Sequence, residues 1–150
     1  MILEMDSMEE IENLIPHRQR LKLIHTIISV DQEHAATRAT VKENWPLLSG
    51  DDVSPLVLIE LAAQTAGVCI GWNEKMKTDG SKRKAAGWLV GIKNARFYVD
   101  KITLDTCIAT RSENYLIVEN YREIAATASI GEKLVAEINL QILQAASDSE

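Results

Sequence analysis

The chain has 150 residues, 46% hydrophobic and 25% charged, ordinary proportions for a globular protein with room for one core. Its net charge of −6 argues against nucleic acid as the main partner. The acidic start MILEMDSMEE has no basic region leading into an apolar run, so it is not read as a secretion signal, and a cytoplasmic location is expected.

In chain order, Ser7 opens a capping box that Glu10 completes. A short helix using Ile11, Leu14 and Ile15 is expected to stop at Pro16. The run LKLIHTIISV (21–30) is rich in β-branched residues and predicts a strand. Asp31, Gln32 and Glu33 read as a hairpin turn. Residues 35–43 then alternate, with Ala35, Ala39 and Val41 on one side and Arg38, Thr40 and Lys42 on the other. ENWPLLSGDD (43–52) is expected to be loop.

The stretch VSPLVLIELAAQTAGVCIGW (53–72) organises the rest. Ser54 suits an N-cap, Pro55 the first helical position, and Asp51 and Asp52 the positive end of a helix dipole. Apolar residues occupy every face, which predicts a helix surrounded by other structure. It approaches membrane-spanning length, but Glu60 near its centre makes a buried central helix the better reading than a span. Glu60 and Gln64 share a face one turn apart. A carboxylate in apolar surroundings must be paired, hydrogen-bonded or neutralised, so Glu60 is expected to be largely buried beside Gln64. A structural carboxylate and a catalytic one are both open on spacing alone.

Beyond Trp72 comes polar sequence with an Asp79-Gly80 turn signal, and then strands. Residues 86–99 read as one strand bulged near Gly91, and 103–118 and 120–130 as two more. In the last run, Leu134, Ala136, Ile138, Leu140 and Ile142 alternate inward. Cys69 and Cys107 fit neither a disulfide framework nor a metal knuckle and read as buried free thiols; no metal or cofactor is expected. The plan is α+β: one domain over 1–150, with an antiparallel sheet wrapped around one long central helix, the hot-dog arrangement. Six strands around one helix leave open edges, so edge-to-edge pairing into a homodimer or larger assembly is expected.

Four stretches, IPHR (15–18), VLIELAAQTAGV (57–68), GIKNARF (91–97) and GEKLVAE (131–137), resemble the bacterial β-hydroxyacyl-(acyl carrier protein) dehydratases, in the same order and spacing. The helix running into Gly71-Trp72 is also similar to a divergent branch associated with aryl-polyene pathways. The resemblance implies removal of water from a 3-hydroxyacyl thioester carried on acyl-phosphopantetheine. A His takes the Cα proton, a helix carboxylate helps the hydroxyl leave, and backbone N–H groups at the helix start polarise the carbonyl. Glu60 matches the helix carboxylate. Gln64, Ser54 and Gly91 fall among the residues expected around the substrate.

One part of the family pattern is missing. Where the family carries its catalytic His, this chain reads NWPLLSGDDVSP with Pro46 at the nominal position, and no histidine follows His34. His17, His25 and His34 are assigned no catalytic role. Active sites in the family are composite, so a His-bearing paralogue could supply the base in a heterodimer. Two other readings stand beside this one: a hot-dog thioesterase using the helix carboxylate, and a non-catalytic acyl or carrier-protein binding module. Lys82, Arg83, Lys84 and Arg96 are the candidate docking cations for an acidic carrier protein.

Overall fold

The computed structural model describes residues 2–5, 11, 14–15, 22–77 and 87–144. The elements are β1 (Ile2–Met5), β2 (Thr26–Val30), β3 (His34–Thr40), β4 (Leu48–Ser49), β5 (Asp52–Val53), α1 (Val57–Lys77), β6 (Gly87–Phe97), β7 (Ile102–Thr103), β8 (Cys107–Val118), β9 (Tyr121–Ile130) and β10 (Lys133–Gln144). Seven strands form one antiparallel sheet in the order β1-β2-β3-β8-β9-β10-β6, and β4-β5-β7 form a small second one. The sheet lies against α1, as the single long apolar helix required.

Burial explains why. Leu58, Leu61 and Ala62 of α1 pack on Ile108, Ile124 and Leu140 of the sheet. Full burial of each leucine contributes about 1.5–3 kcal/mol. Small side chains at Ala39, Ala126 and Ala128 belong to the same cluster and let helix and sheet approach closely. Val68 and Cys69, farther along α1, join a second cluster with Ile11, Ile15, Ile24 and Ile27. Two faces of the helix are thus covered. A third is less deeply covered: Leu56, just before α1, is exposed, Glu60 and Gly67 are partly buried, and Ile59 and Ala63 are partly buried at the edge of the first cluster. These positions recur at helical spacing and form the least covered face of a helix that is otherwise buried.

Several boundaries differ from expectation. The stretch 43–52 is not all loop, because Gly50 (φ 64°) turns β4 into β5. The run 103–118 is split: Ile102–Thr103 joins the small sheet, and Asp105 (φ 70°) breaks the chain before β8 begins. The strand expected from residue 21 begins at Thr26. Ala136, Ile138, Leu140 and Ile142 point inward as expected, but Leu134 is exposed. The β9–β10 register jumps between Leu134 and Ala136, and this bulge turns Leu134 outward and Val135 in. The irregularity near Gly91 is present as two slips in the β6–β10 ladder, one on each side of the glycine. Cys69 is buried and Cys107 exposed, both as free thiols, so the expected burial holds for one of them.

Candidate functional site

Glu60 sits in the first turn of α1, a helix whose start is fixed by Ser54. The Ser54 hydroxyl accepts from Leu56 N (3.2 Å), as an N-cap does. The next amides are engaged too: Val57 N donates to Ser54 O, Leu58 N to Pro55 O and Ile59 N to Leu56 O, at 2.9–3.1 Å. This is a tight 3₁₀-like first turn. A substrate carbonyl using these amides would have to share or displace the bonds. Ser54 therefore acts as the cap the sequence indicated, and the donors expected from the helix start are already occupied.

Gln64 is wholly buried. Its Oε1 accepts from the backbone N–H of Leu23 at 3.0 Å, and its Nε2 donates to Glu60 Oε2 at 3.0 Å. The two contacts fix the amide orientation, because a backbone N–H can only donate and so must meet the oxygen. The amide then presents N–H to the carboxylate. The sequence pairing of Glu60 with Gln64 is observed. Glu60 itself is partly buried, on the least covered face of α1. A carboxylate positioned by the Gln64 amide on a partly exposed helix face can accept a proton, orient a hydroxyl or hold water.

The loop that would carry a base is rigidly tied instead. Ser54 N donates to Leu47 O (3.2 Å), Leu104 N to Asp51 O (2.7 Å), and Lys101 pairs with Asp52 at 3.6 Å. Trp45 is buried in the core beneath it, while Pro46 and Leu47 face solvent. His25 lies before β2 with its ring nitrogens on Thr26 Oγ1 (2.8 Å) and Thr40 Oγ1 (3.0 Å). His34 stands at the β2–β3 turn beside Asp31 (3.3 Å) and Glu113 (3.6 Å). His17 lies outside the described residues.

The remaining sequence candidates are scattered. Gly91 is on the outermost strand β6, paired with Gln141, whose side-chain oxygen occupies the place a Cβ would take. Arg96 is exposed farther along β6, where it lies beside Tyr98. Lys82, Arg83 and Lys84 lie outside the described residues. β6 ends the sheet, and Leu89, Val90 and Ile92 on it are exposed. Sequence reasoning passed over Leu23, whose backbone N–H carries no signature in the chain. It also passed over Arg122, a buried cation in phase with Ile124, Ala126 and Ala128 of β9, where the alternation itself was the available signal. Among the described residues no helix is long and apolar enough to cross a membrane.

Comparison with known proteins gives a consistent answer. The ApeP-like family model, described as ApeP dehydratase, matches residues 9–150. The 3-hydroxyacyl-[acyl-carrier-protein] dehydratase FabZ of Chlamydia trachomatis serovar L2 is 28% identical over 148 residues, covering 94% of each chain. FabZ of Chlamydia caviae is 31% identical over 137 residues, covering 87% of this chain and 86% of its own. Among solved structures, the dehydratase heterocomplex ApeI:P from Xenorhabdus doucetiae superposes with a TM-score of 0.81 at 22% identity over 91% of both chains. A hypothetical thioesterase with coenzyme A from Streptococcus pneumoniae gives 0.63 at 11% identity, covering 95% of this chain and all of its own; at these identities each structure speaks for the fold alone. With the family match spanning nearly its whole length, the chain belongs to the ApeP-like dehydratases and is a dehydratase-like hot-dog protein.

Proposed function

We propose that this protein is one subunit of a composite dehydratase for 3-hydroxyacyl thioesters of acyl carrier protein, in which it supplies Glu60 and a partner subunit supplies the histidine base. The observation that carries the reading is the Leu23–Gln64–Glu60 chain of hydrogen bonds, which holds a carboxylate on the least covered face of the central helix. Glu60 orients the leaving hydroxyl and delivers its proton, and Gln64 keeps the carboxylate in place.

The missing base and the open surfaces call for the same thing, a second chain. Among the described residues β6 has an unpaired edge with exposed Leu89, Val90 and Ile92, and a partner strand added there would extend the sheet. The structurally similar ApeI:P assembly is a dehydratase heterocomplex, which favours a heterodimer over a homodimer for this chain. Ser54 and Gly91 line the approach to Glu60 in this reading. Lys82, Arg83, Lys84 and Arg96 receive the acidic carrier, and the acyl group belongs to fatty-acid or polyene synthesis.

The test is formation of 2-enoyl thioester from a 3-hydroxyacyl carrier protein, by the purified chain alone and with a His-bearing paralogue. Loss of a general base costs about 10²–10⁴-fold, so the chain alone should be slower by that order and the mixture should recover turnover. Equal rates with and without the paralogue would refute the composite site. Thioester hydrolysis without enoyl product would replace the reading with a thioesterase.

A further inference from the structure

A cleft lies near the other end of the helix from Glu60. Its volume is about 600 Å³, within the usual range for small-molecule sites, and its walls are Gln32, Trp72, Asn73, Met76, Ile117 and Arg122. Trp72 is twelve residues beyond Glu60 on α1, which at the helical rise is about 18 Å away. The cleft is therefore separate from the Glu60 site.

Its distinguishing group is Arg122. The side chain is on the inward phase of β9, only 5% exposed, and a guanidinium stays charged inside a protein. Its Nε and Nη2 donate to Gln144 Oε1 at 3.2 and 2.9 Å. That acceptor is neutral. Among the described residues no carboxylate is within ion-pair distance of Arg122. Asp31, nearby in the β2–β3 turn, is turned into its own loop, where it accepts from Glu33 N (2.8 Å) and His34 N (2.7 Å). Those bonds hold its carboxyl below the usual range, so it keeps its charge there. A buried cation without a countercharge is costly, and removing that cost is what an anionic ligand would do.

The walls indicate which anion. Gln144 occupies one edge of the guanidinium, so the Nη1/Nη2 edge remains, and it matches the two oxygens of a carboxylate. The cleft has no second Arg or Lys among its lining residues, and the Asn73 amide is engaged by Gln32 O and Cys69 O at 2.9 Å. One guanidinium edge suits a monoanion and serves a phosphate dianion poorly. The other lining residues Trp72, Met76 and Ile117 offer apolar surface, with Met76 52% and Ile117 48% exposed. Both walls are preset, since Asn73 ties α1 to the β2–β3 turn and Gln144 aims Arg122.

We infer that this cleft is a second binding site, for a small amphipathic carboxylate whose charge sits on Arg122 and whose apolar body lies on Trp72, Met76 and Ile117. The probe is octanoate, with octanol as the same body without charge and inorganic phosphate as charge without the body. Affinity is measured by calorimetry on the full chain, and location by the Met76 methyl resonance. The expected result is saturable octanoate binding that shifts the Met76 methyl, with octanol, phosphate and Arg122→Gln each roughly tenfold or more weaker. Glu60→Gln should leave octanoate binding unchanged. Should Arg122→Gln fail to fold, Met76→Glu, an exposed position, should weaken octanoate by a similar factor through charge repulsion. No Met76 shift at millimolar octanoate, phosphate binding as tight as octanoate, or undiminished affinity in either variant would overturn the site.

Discussion

The backbone carbonyl of Leu14 lies against Gly71 so closely that a Cβ at position 71 would overlap it. This contact seats the segment around Ile11, Leu14 and Ile15 on the second half of α1, where their side chains form a cluster with Val68 and Cys69. Backbone cannot rotate aside as a side chain can. Gly71→Ala should therefore cost about 1–3 kcal/mol, the usual range for overpacking. The urea midpoint should fall at unchanged slope. A midpoint within error of the parent would show that the two segments are free to separate.

Gln64 satisfies a buried backbone N–H and holds Glu60 at once. Gln64→Leu keeps the volume and removes both bonds, leaving Leu23 N–H without its acceptor. The expected loss is about 1–3 kcal/mol, the cost of an unsatisfied buried polar group. Chemical denaturation checks it. Unchanged stability would mean that the Leu23 amide finds another acceptor and that Gln64 serves Glu60 alone.

Much of this architecture was legible in the chain, and the reasons are local. Ser54 and Pro55 announced the helix start because capping chemistry acts within one turn. Glu60 and Gln64 could be paired because helical spacing alone brings them together. Ala136, Ile138, Leu140 and Ile142 could be assigned inward by alternation, but Leu134 could not, since a bulge reverses phase without a distinctive residue. Leu23, 41 residues from Gln64, contributes only its backbone, which no side-chain pattern reveals. The partial exposure of Ile59, Ala63 and Gly67 could not be read from the chain, because apolar residues at the centre and at the edge of a core read alike.

The inner face of β8 carries three buried oxygens with no hydrogen-bond partner: Thr110 Oγ1, Ser112 Oγ and Asn114 Oδ1. Thr110→Val keeps the shape and removes one of them. It should raise stability by about 1 kcal/mol, since an unsatisfied buried hydroxyl is a net cost. Thermal unfolding of the variant should move upward. A drop would show that this hydroxyl is satisfied in solution.

Burial pushes the Cys69 thiol up to about 11 from 9.0. The folded state therefore keeps a proton that the unfolded chain gives up first. This contribution is fully present below pH 9 and is lost as pH rises from 9 towards 11, on the order of 2 kcal/mol. Cys69→Ala should flatten the alkaline fall of stability relative to the parent. In the native protein Cys107, which is exposed, should react with a thiol reagent well before Cys69. Equal rates for the two thiols, or identical alkaline limbs, would contradict the burial.

The composite site stands or falls on whose carboxylate does the work. The direct measurement is the dehydration rate of the assembled complex, with Glu60→Gln in this chain and a wild-type His-bearing partner. Gln at position 60 leaves shape and assembly intact while removing the acid. Complex mass, followed by light scattering, should be unchanged, and the rate should fall by about 10²-fold or more, the range for a lost general acid. A complex that forms and dehydrates at the parent rate would put the whole active site in the partner and leave this chain a scaffold.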